Sequence, residues 1–268
     1  MRQIFKDPEL EKTFRRDGYF LFGKHHSIDV EALREDYFRL EQDYEQGMHM
    51  TMLSPNPKVR QGVNEILFKH FTPIIEDLLI DYEPVIGNFI VKEPYKDNFL
   101  NVHQDWAFVD EAEFETINFW VPLQDVNEKN GCLRFLKGSH ACENYYRAPN
   151  IPFPFEDQVP QIEEKMDTLV MAAGELEVHA HRIVHSSFLN LTNLPRIGIT
   201  FTSKPKEAKL LHYYRPDVNK PLDIEVYEVE IPYFYDYKIC EKPRNAKFIK
   251  AITIPEPKLI VKEEVVPI

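Results

Sequence analysis

Asn101-Val102-His103-Gln104-Asp105-Trp106 is the stretch from which the rest of this chain can be read. On a β-strand, side chains two apart point to the same face, so His103 and Asp105 would put an imidazole nitrogen and a carboxylate oxygen into one space. These are two of the three ligands of a two-histidine, one-carboxylate facial triad, which holds Fe(II) and leaves three coordination positions open. A third ligand has to come from a distant segment. Residues 175–185 offer His179, His181 and His185. Spacing alone does not choose among them, and His179 and His181 share a strand parity that could make a rival metal pair.

The sequence around the pair reads as β. Residues 85–91 are β-rich, and a polar loop leads into the His-Gln-Asp stretch. Residues 116–123 form a strand by composition, with Asn118 and Trp120 on one face and Ile117, Phe119 and Val121 on the other. A turn at 127–131, a short strand at 132–136, and strands over 175–185 and 197–203 complete the set. Short strands joined by polar turns predict a mainly β fold of sandwich or jelly-roll type, without alternating βαβ units. Residues 149–160 hold four prolines; together with Tyr145-Tyr146 and Tyr213-Tyr214 they are the expected substrate mouth.

Before Pro84 the pattern is helical. Asp7 caps a first helix with Pro8 at its first position, and the helix should stop near Asp17-Gly18. Residues 19–22 are a short strand. Ser27 is expected to cap a second helix with Val30, Leu33, Tyr37, Leu40 and Tyr44 as its buried stripe and Gly47 as its stop. Val59, Val63, Ile66 and Leu67 mark a third helix, and Thr72-Pro73 starts a fourth. Between the second and third helices, His49 and the Met48, Met50, Met52 set read as loop and packing residues. Beyond Lys204 the chain is rich in tyrosine and proline, with a half-exposed strand over 223–231 and a tail over 255–268. The expected organisation is one domain over 1–268: a mainly helical flank (1–83), a jelly-roll core (84–203) and a C-terminal extension (204–268).

With 268 residues, 43% of them hydrophobic, the chain can bury a sizeable core. A formal charge of −12 argues against nucleic acid as a partner, because phosphate backbones need a cationic face. No stretch is apolar for long enough to suggest a membrane partner. Cys132, Cys142 and Cys240 are too few and too irregularly spaced for a disulfide framework. These features lead to the expectation of a soluble, cytoplasmic protein.

His103-Gln104-Asp105, Trp120, Asn130-Gly131-Cys132-Leu133, Gly138-Ser139-His140, Gly174-Glu175-Leu176, His185-Ser186-Ser187 and Pro195-Arg196, in that order, resemble the phytanoyl-CoA dioxygenase family. Arg16-Asp17-Gly18-Tyr19 resembles that family's opening strand, and the likeness runs over roughly residues 10–203. The resemblance implies a double-stranded β-helix, cupin-like, and the chemistry of an Fe(II)/2-oxoglutarate-dependent oxygenase that uses O2. The family sets a glycine turn eleven residues before its distal histidine and an arginine eleven after it, so Gly174 and Arg196 select His185 as third ligand. Arg196 would then grip the far carboxylate of 2-oxoglutarate through two parallel charge-assisted hydrogen bonds. Ser187, Trp120, Asn88 and Lys92 are further candidates for cosubstrate contacts. Two departures stand out: Glu175 replaces the family's aspartate, and Glu177 and His179 interrupt its apolar strand.

The implied reaction is hydroxylation of an unactivated C–H bond in a small biosynthetic intermediate or amino-acid-like molecule, with decarboxylation of 2-oxoglutarate to succinate. Related halogenases carry a small residue at the carboxylate position; Asp105 fills it here. Desaturation, cyclisation and action on an acyl thioester are the alternatives within the same chemistry. A non-catalytic jelly-roll binding protein is the alternative outside it.

Overall fold

A computed structural model of the chain describes residues 2–40, 47–95, 98–141 and 146–255. The N-terminal region opens with α1 (Pro8–Asp17), capped by the Asp7 side chain, which accepts from the Glu9 N–H. Gly18 ends it at φ 83 and leads directly into β1 (Tyr19–Lys24). A Cβ at Gly18 would collide with His140 Nδ1, so both backbone conformation and space require glycine. The second helix, α2 (Val30–Arg39), is capped by Asp29, not Ser27. Ser27 is instead engaged with His25 and the His70 carbonyl. Leu40 ends α2, seven positions before Gly47; Tyr44 lies outside the described residues.

Met48–Met50 is a strand, β2, rather than a loop. The expected third and fourth helices are one helix, α3 (Pro57–Leu78), with Pro73 inside it. Pro73 removes one helical hydrogen bond, at a cost of about 3 kcal/mol. The buried stripe Val63, Leu67, Phe71, Ile74, Ile75 and Leu78 runs straight through it, and burying several such side chains at about 1.5–3 kcal/mol each outweighs that loss.

The remaining elements are β3 (Tyr82–Lys92), β4 (Leu100–His103), β5 (Ile117–Pro122), β6 (Leu133–Phe135), α4 (Val159–Glu164), β7 (Asp167–Leu169), β8 (Glu175–Ala180), β9 (His185–Ser187), β10 (Arg196–Pro205), β11 (Leu211–Tyr214), β12 (Asp223–Glu228), α5 (Tyr233–Asp236) and β13 (Lys247–Thr253). They form a six-stranded sheet in the order β1-β8-β5-β10-β3-β2, a four-stranded sheet β4-β9-β6-β7 and a three-stranded sheet β11-β12-β13. All named pairings are antiparallel. The fold is mainly β, as expected, and β1 and β2 of the N-terminal region join its largest sheet.

Alternation along the large sheet separates core from site. Phe89, Val91, Ile117, Phe119, Val121, Leu176, Val178, Ile197, Ile199 and Phe201 are buried in one cluster with Leu67, Phe71, Ile74 and Ile75 of α3. The opposite parity forms cross-strand rows. Asn88, Thr200, Trp120 and Glu177 are successive partners, and Thr202, Asn118 and His179 make the next row. Glu177 and His179 therefore leave the α3 side of β8 intact.

The C-terminal extension supports the other end of the sheet, where Phe234 packs edge-on to Phe108 at 5.3 Å and Tyr237 packs against Trp106 at 6.1 Å. The 149–160 segment is not a substrate mouth. Phe153, Phe155 and Val159 pack with Val102, Leu136 and Val184 in a separate cluster. Tyr146 and Tyr213 pack on each other at 5.0 Å, also away from the cavity described below. Tyr145 lies outside the described residues. No helix among the described residues is long and apolar enough to cross a membrane.

Candidate active site

A cavity of about 280 Å³ lies between the six-stranded and four-stranded sheets. His103 at the end of β4 and His185 at the start of β9 are directly opposed in an antiparallel pair, with ring centroids 4.2 Å apart. Asp105 follows two residues after His103. One nitrogen from each histidine and one Asp105 oxygen all lie within 4.8 Å of one another. His103 Nε2 and His185 Nε2 are 3.8 and 3.9 Å from Asp105 Oδ1.

The backbone fixes the tautomer of both rings. His103 Nδ1 donates to the Asn101 carbonyl at 2.8 Å, and His185 Nδ1 donates to the Ile183 carbonyl at 3.1 Å. Each Nε2 then keeps its lone pair for a metal. Burial, with His103 beside it, holds the His185 pKa well below the ordinary imidazole value, so the ring stays neutral. Burial pushes the Asp105 carboxyl upward. His185, the His179 hydrogen bond and the neighbouring His181 and His179 rings outweigh it and hold Asp105 well below the ordinary carboxylate value. A neutral imidazole facing an ionised carboxylate is the protonation state that a divalent cation needs.

The three distal histidines have separate surroundings. His181 Nδ1 donates to the Trp106 carbonyl at 3.0 Å, and its Nε2 accepts from Thr202 Oγ1 at 3.1 Å, so neither nitrogen is free. His179 Nδ1 donates to Glu177 Oε2 at 2.8 Å, and its Nε2 lies 3.3 Å from Asp105 Oδ2. The Glu177 carboxylate raises His179 to about 9 against the opposing effect of burial. Only His185 presents a nitrogen to the oxygen that His103 also faces.

Arg196 supplies the second half of the site. It is 1% exposed, its Nε and Nη1 have no hydrogen-bond partner, and it has no acidic partner among the described residues. Burial lowers its pKa to about 10, which leaves it charged at neutral pH. Its guanidinium lies over the Trp120 ring at 5.6 Å. A Cβ on Gly198 would come within 2.9 Å of Trp120 and 3.0 Å of Arg196 Nη1, so glycine permits this close stack. A buried guanidinium without an acid is a receptor for an anion. Its fork fits a carboxylate.

Of the residues expected from sequence, His103, Asp105, His185, Arg196, Trp120 and Asn88 line the cavity. Asn88 Nδ2 donates to Thr200 Oγ1 at 2.7 Å, which leaves Asn88 Oδ1 without a partner. Ser187 and Lys92 are not in the lining. Ser187 Oγ is buried without a partner, and Lys92 Nζ donates to the Phe188 carbonyl at 2.6 Å. Burial and the neighbouring Arg196 lower Lys92 to about 7.

The sequence reading gave no role to Asn118, whose Nδ2 donates to Asp105 Oδ2 at 2.9 Å. It also missed Arg147, whose Nε donates to the Asp105 backbone carbonyl at 2.6 Å while Nη1 and Nη2 grip Glu111 at 2.7 Å each. Asn118 could have been found from its shared face with Trp120; Arg147 carries no local signal.

Two other places were compared with this site. A cleft of about 560 Å³ in the C-terminal extension is lined by charges that pair among themselves, such as Arg244 with Glu241 and Lys247 with Glu228. His25, His26 and Asp77 also cluster within 4.8 Å, but both His25 nitrogens already meet Ser27 and Asp77.

The family model for phytanoyl-CoA dioxygenase (PhyH) matches residues 14–198. A phytanoyl-CoA dioxygenase domain-containing protein 1 from Danio rerio is 30% identical over 153 residues, 51% of this chain and 52% of that protein. A phytanoyl-CoA dioxygenase from Arabidopsis thaliana is 29% identical over 60% of this chain and 57% of that one. The chain thus spans about half the length of these curated relatives. Among solved structures, EvdO2 from Micromonospora carbonacea var. aurantiaca, complexed with 2-oxoglutarate, aligns with TM-score 0.54 at 19% identity, covering 74% of this chain and 91% of that one. HygX from Streptomyces hygroscopicus, with nickel, 2-oxoglutarate and hygromycin B bound, aligns with TM-score 0.52 at 14% identity over 75% and 88% of the two chains. The matched span holds the His-x-Asp pair, the distal histidine and the buried arginine in the family's order, and the chain belongs to the phytanoyl-CoA dioxygenase family.

Proposed function

We propose that this chain is a non-haem Fe(II)/2-oxoglutarate-dependent oxygenase that hydroxylates an unactivated C–H bond of a small, uncharged organic molecule. The observation that carries the reading is the meeting of His103, Asp105 and His185 within 4.8 Å, on the cavity that also holds the unpaired Arg196. Fe(II) with 2-oxoglutarate and O2 supplies C–H oxidation coupled to decarboxylation of the oxo-acid. The chain holds the ion through the two Nε2 atoms and Asp105 Oδ1. Arg196, braced by Trp120, orients the cosubstrate through its far carboxylate, and Asn88 Oδ1 is free to accept a hydrogen bond nearby. Lys92, engaged by the Phe188 carbonyl, supports this wall from outside the cavity lining, and Ser187 Oγ is buried beside it without a partner. Asp105 at the carboxylate position favours hydroxylation over halogenation.

The lining supports a neutral substrate. Met50, Met52, Ile86, Trp106, Phe108 and Leu133 give the cavity an apolar wall that excludes water. Among the described lining residues Arg196 is the sole arginine or lysine and Asp105 the sole carboxylate, and both are engaged in the proposed chemistry. A free amino acid would leave its two charges unpaired there. Succinate formation from 2-oxoglutarate, measured over a panel of uncharged, zwitterionic and CoA-linked compounds, tests this. Uncharged compounds should raise the rate well above the substrate-free level. Stimulation confined to charged compounds would reject the substrate class, and absence of any turnover would count against the activity.

A further inference from the structure

The two oxygens of Asp105 are treated differently. Oδ1 faces His103 Nε2 and His185 Nε2. Oδ2 receives Asn118 Nδ2 at 2.9 Å and has His179 Nε2 at 3.3 Å. His179 is in turn held through Nδ1 by Glu177, and Glu177 is completely buried. Both residues sit on the cavity parity of β8, where a strand of this kind could carry apolar side chains at no electrostatic cost. Replacing a buried charged pair by well-packed apolar residues is often neutral or stabilising. Stability therefore does not account for Glu177 and His179.

A carboxylate ligand can bind a cation through one oxygen or two. In a facial triad the three remaining positions serve the oxo-acid, which takes two, and O2, which takes one. A second bond from Asp105 would consume one of them. We propose that Glu177 and His179 are positioning residues that, with Asn118, occupy Asp105 Oδ2 and keep the carboxylate bound to the metal through Oδ1 alone. Glu177 fixes the ring plane of His179, whose Nε2 lies 3.3 Å from Asp105 Oδ2 and 3.2 Å from the Asn118 Nδ2 that is bonded to the same oxygen. The metal then keeps the two adjacent positions that 2-oxoglutarate needs. This inference rests on the reading of His103, Asp105 and His185 as metal ligands.

The test separates metal binding from cosubstrate binding. Wild type, His179→Phe, His179→Gln and Glu177→Gln are titrated anaerobically, first with Fe(II) alone and then, Fe(II)-loaded, with 2-oxoglutarate, the second followed by its visible charge-transfer band. Outer-sphere partners of metal ligands carry about 10–100-fold in binding or activity. His179→Phe should therefore bind Fe(II) within a few-fold of wild type but lose 2-oxoglutarate affinity by about 10–100-fold. Glu177→Gln, which preserves shape and volume, should show a smaller loss of the same kind. His179→Gln, which keeps an N–H near Oδ2, should recover part of the loss. A purely structural role would lower unfolding temperature and Fe(II) affinity together, without rescue by glutamine, and would overturn the proposal. So would wild-type 2-oxoglutarate affinity in both His179→Phe and Glu177→Gln. If wild type itself binds no Fe(II), the ligand reading fails; if wild type binds both and the variants match it, only the positioning role fails.

Discussion

Arg196 is a full charge held 1% exposed with no acid beside it among the described residues. Leaving an ion in that state costs several kcal/mol, so the residue should weaken the free protein while serving the loaded one. Arg196→Met should raise the urea midpoint of the cosubstrate-free protein, by about 1–3 kcal/mol in unfolding free energy, and abolish 2-oxoglutarate binding. Arg196→Lys keeps the charge but loses the fork, and 2-oxoglutarate affinity should fall by about 10-fold or more, since a charge-assisted bond contributes about 1.5–3 kcal/mol. Titration calorimetry beside the unfolding curves checks both, and a destabilised Arg196→Met that still binds would remove the arginine from the site. At this scale the sequence brought His103, Asp105 and Arg196 forward as candidates, because their order matches a family pattern, and the structure places all three on one cavity. The sequence could not choose among His179, His181 and His185 by itself. Strand parity is written in one segment, whereas the register that sets His185 against His103 belongs to two.

Strand β8 shows how far a single element can be read. Its apolar residues Leu176 and Val178 face the helix side as alternation requires, and its charged residues mark the opposite face as a site. The partner of that face, Asp105, lies on a segment that no property of β8 specifies. Helix α3 went further than its sequence signals, because Pro73 and the preceding threonine resemble a start when read locally, and only the continuous buried stripe tells otherwise. The junction of α1 and β1 was legible, since Gly18 is the stop that the pattern predicts. Its φ of 83 and the collision that an added Cβ would make with His140 give a sharp test: Gly18→Ala should cost at least about 1 kcal/mol from backbone strain alone. The added contact should increase that cost. Urea unfolding measures it, and an unchanged midpoint would contradict the tight α1–β1 packing.

For the molecule as a whole, acid stability follows from histidines buried in neutral form. Burial lowers His140 to about 4, with Arg182 nearby adding to the effect, and burial alone lowers His212 to about 4. Their unfolded value is about 6.5. Above that value both states are neutral and nothing is lost. As pH falls from about 6.5 toward 4 the unfolded chain takes up these protons first, so each histidine withdraws stability, approaching about 3 kcal/mol when complete. Urea midpoints should therefore fall between pH 7 and pH 5, and His140→Gln should flatten that slope. The two-layer β architecture was legible from strand texture and turns. In the C-terminal extension the strand over Asp223–Glu228 was legible from its alternation, whereas the packing of Phe234 and Tyr237 on Phe108 and Trp106 was not, because contacts so distant in sequence leave no local pattern. The central claim is a single centre formed by His103, Asp105, His185 and Arg196, and anaerobic addition of 2-oxoglutarate to the Fe(II)-loaded protein tests it most directly. A weak visible band near roughly 500 nm, saturating at one iron per chain and lost in His185→Ala and Arg196→Met but retained in His181→Gln, is the predicted result; no band in the wild type, or one that survives in His185→Ala, would contradict it.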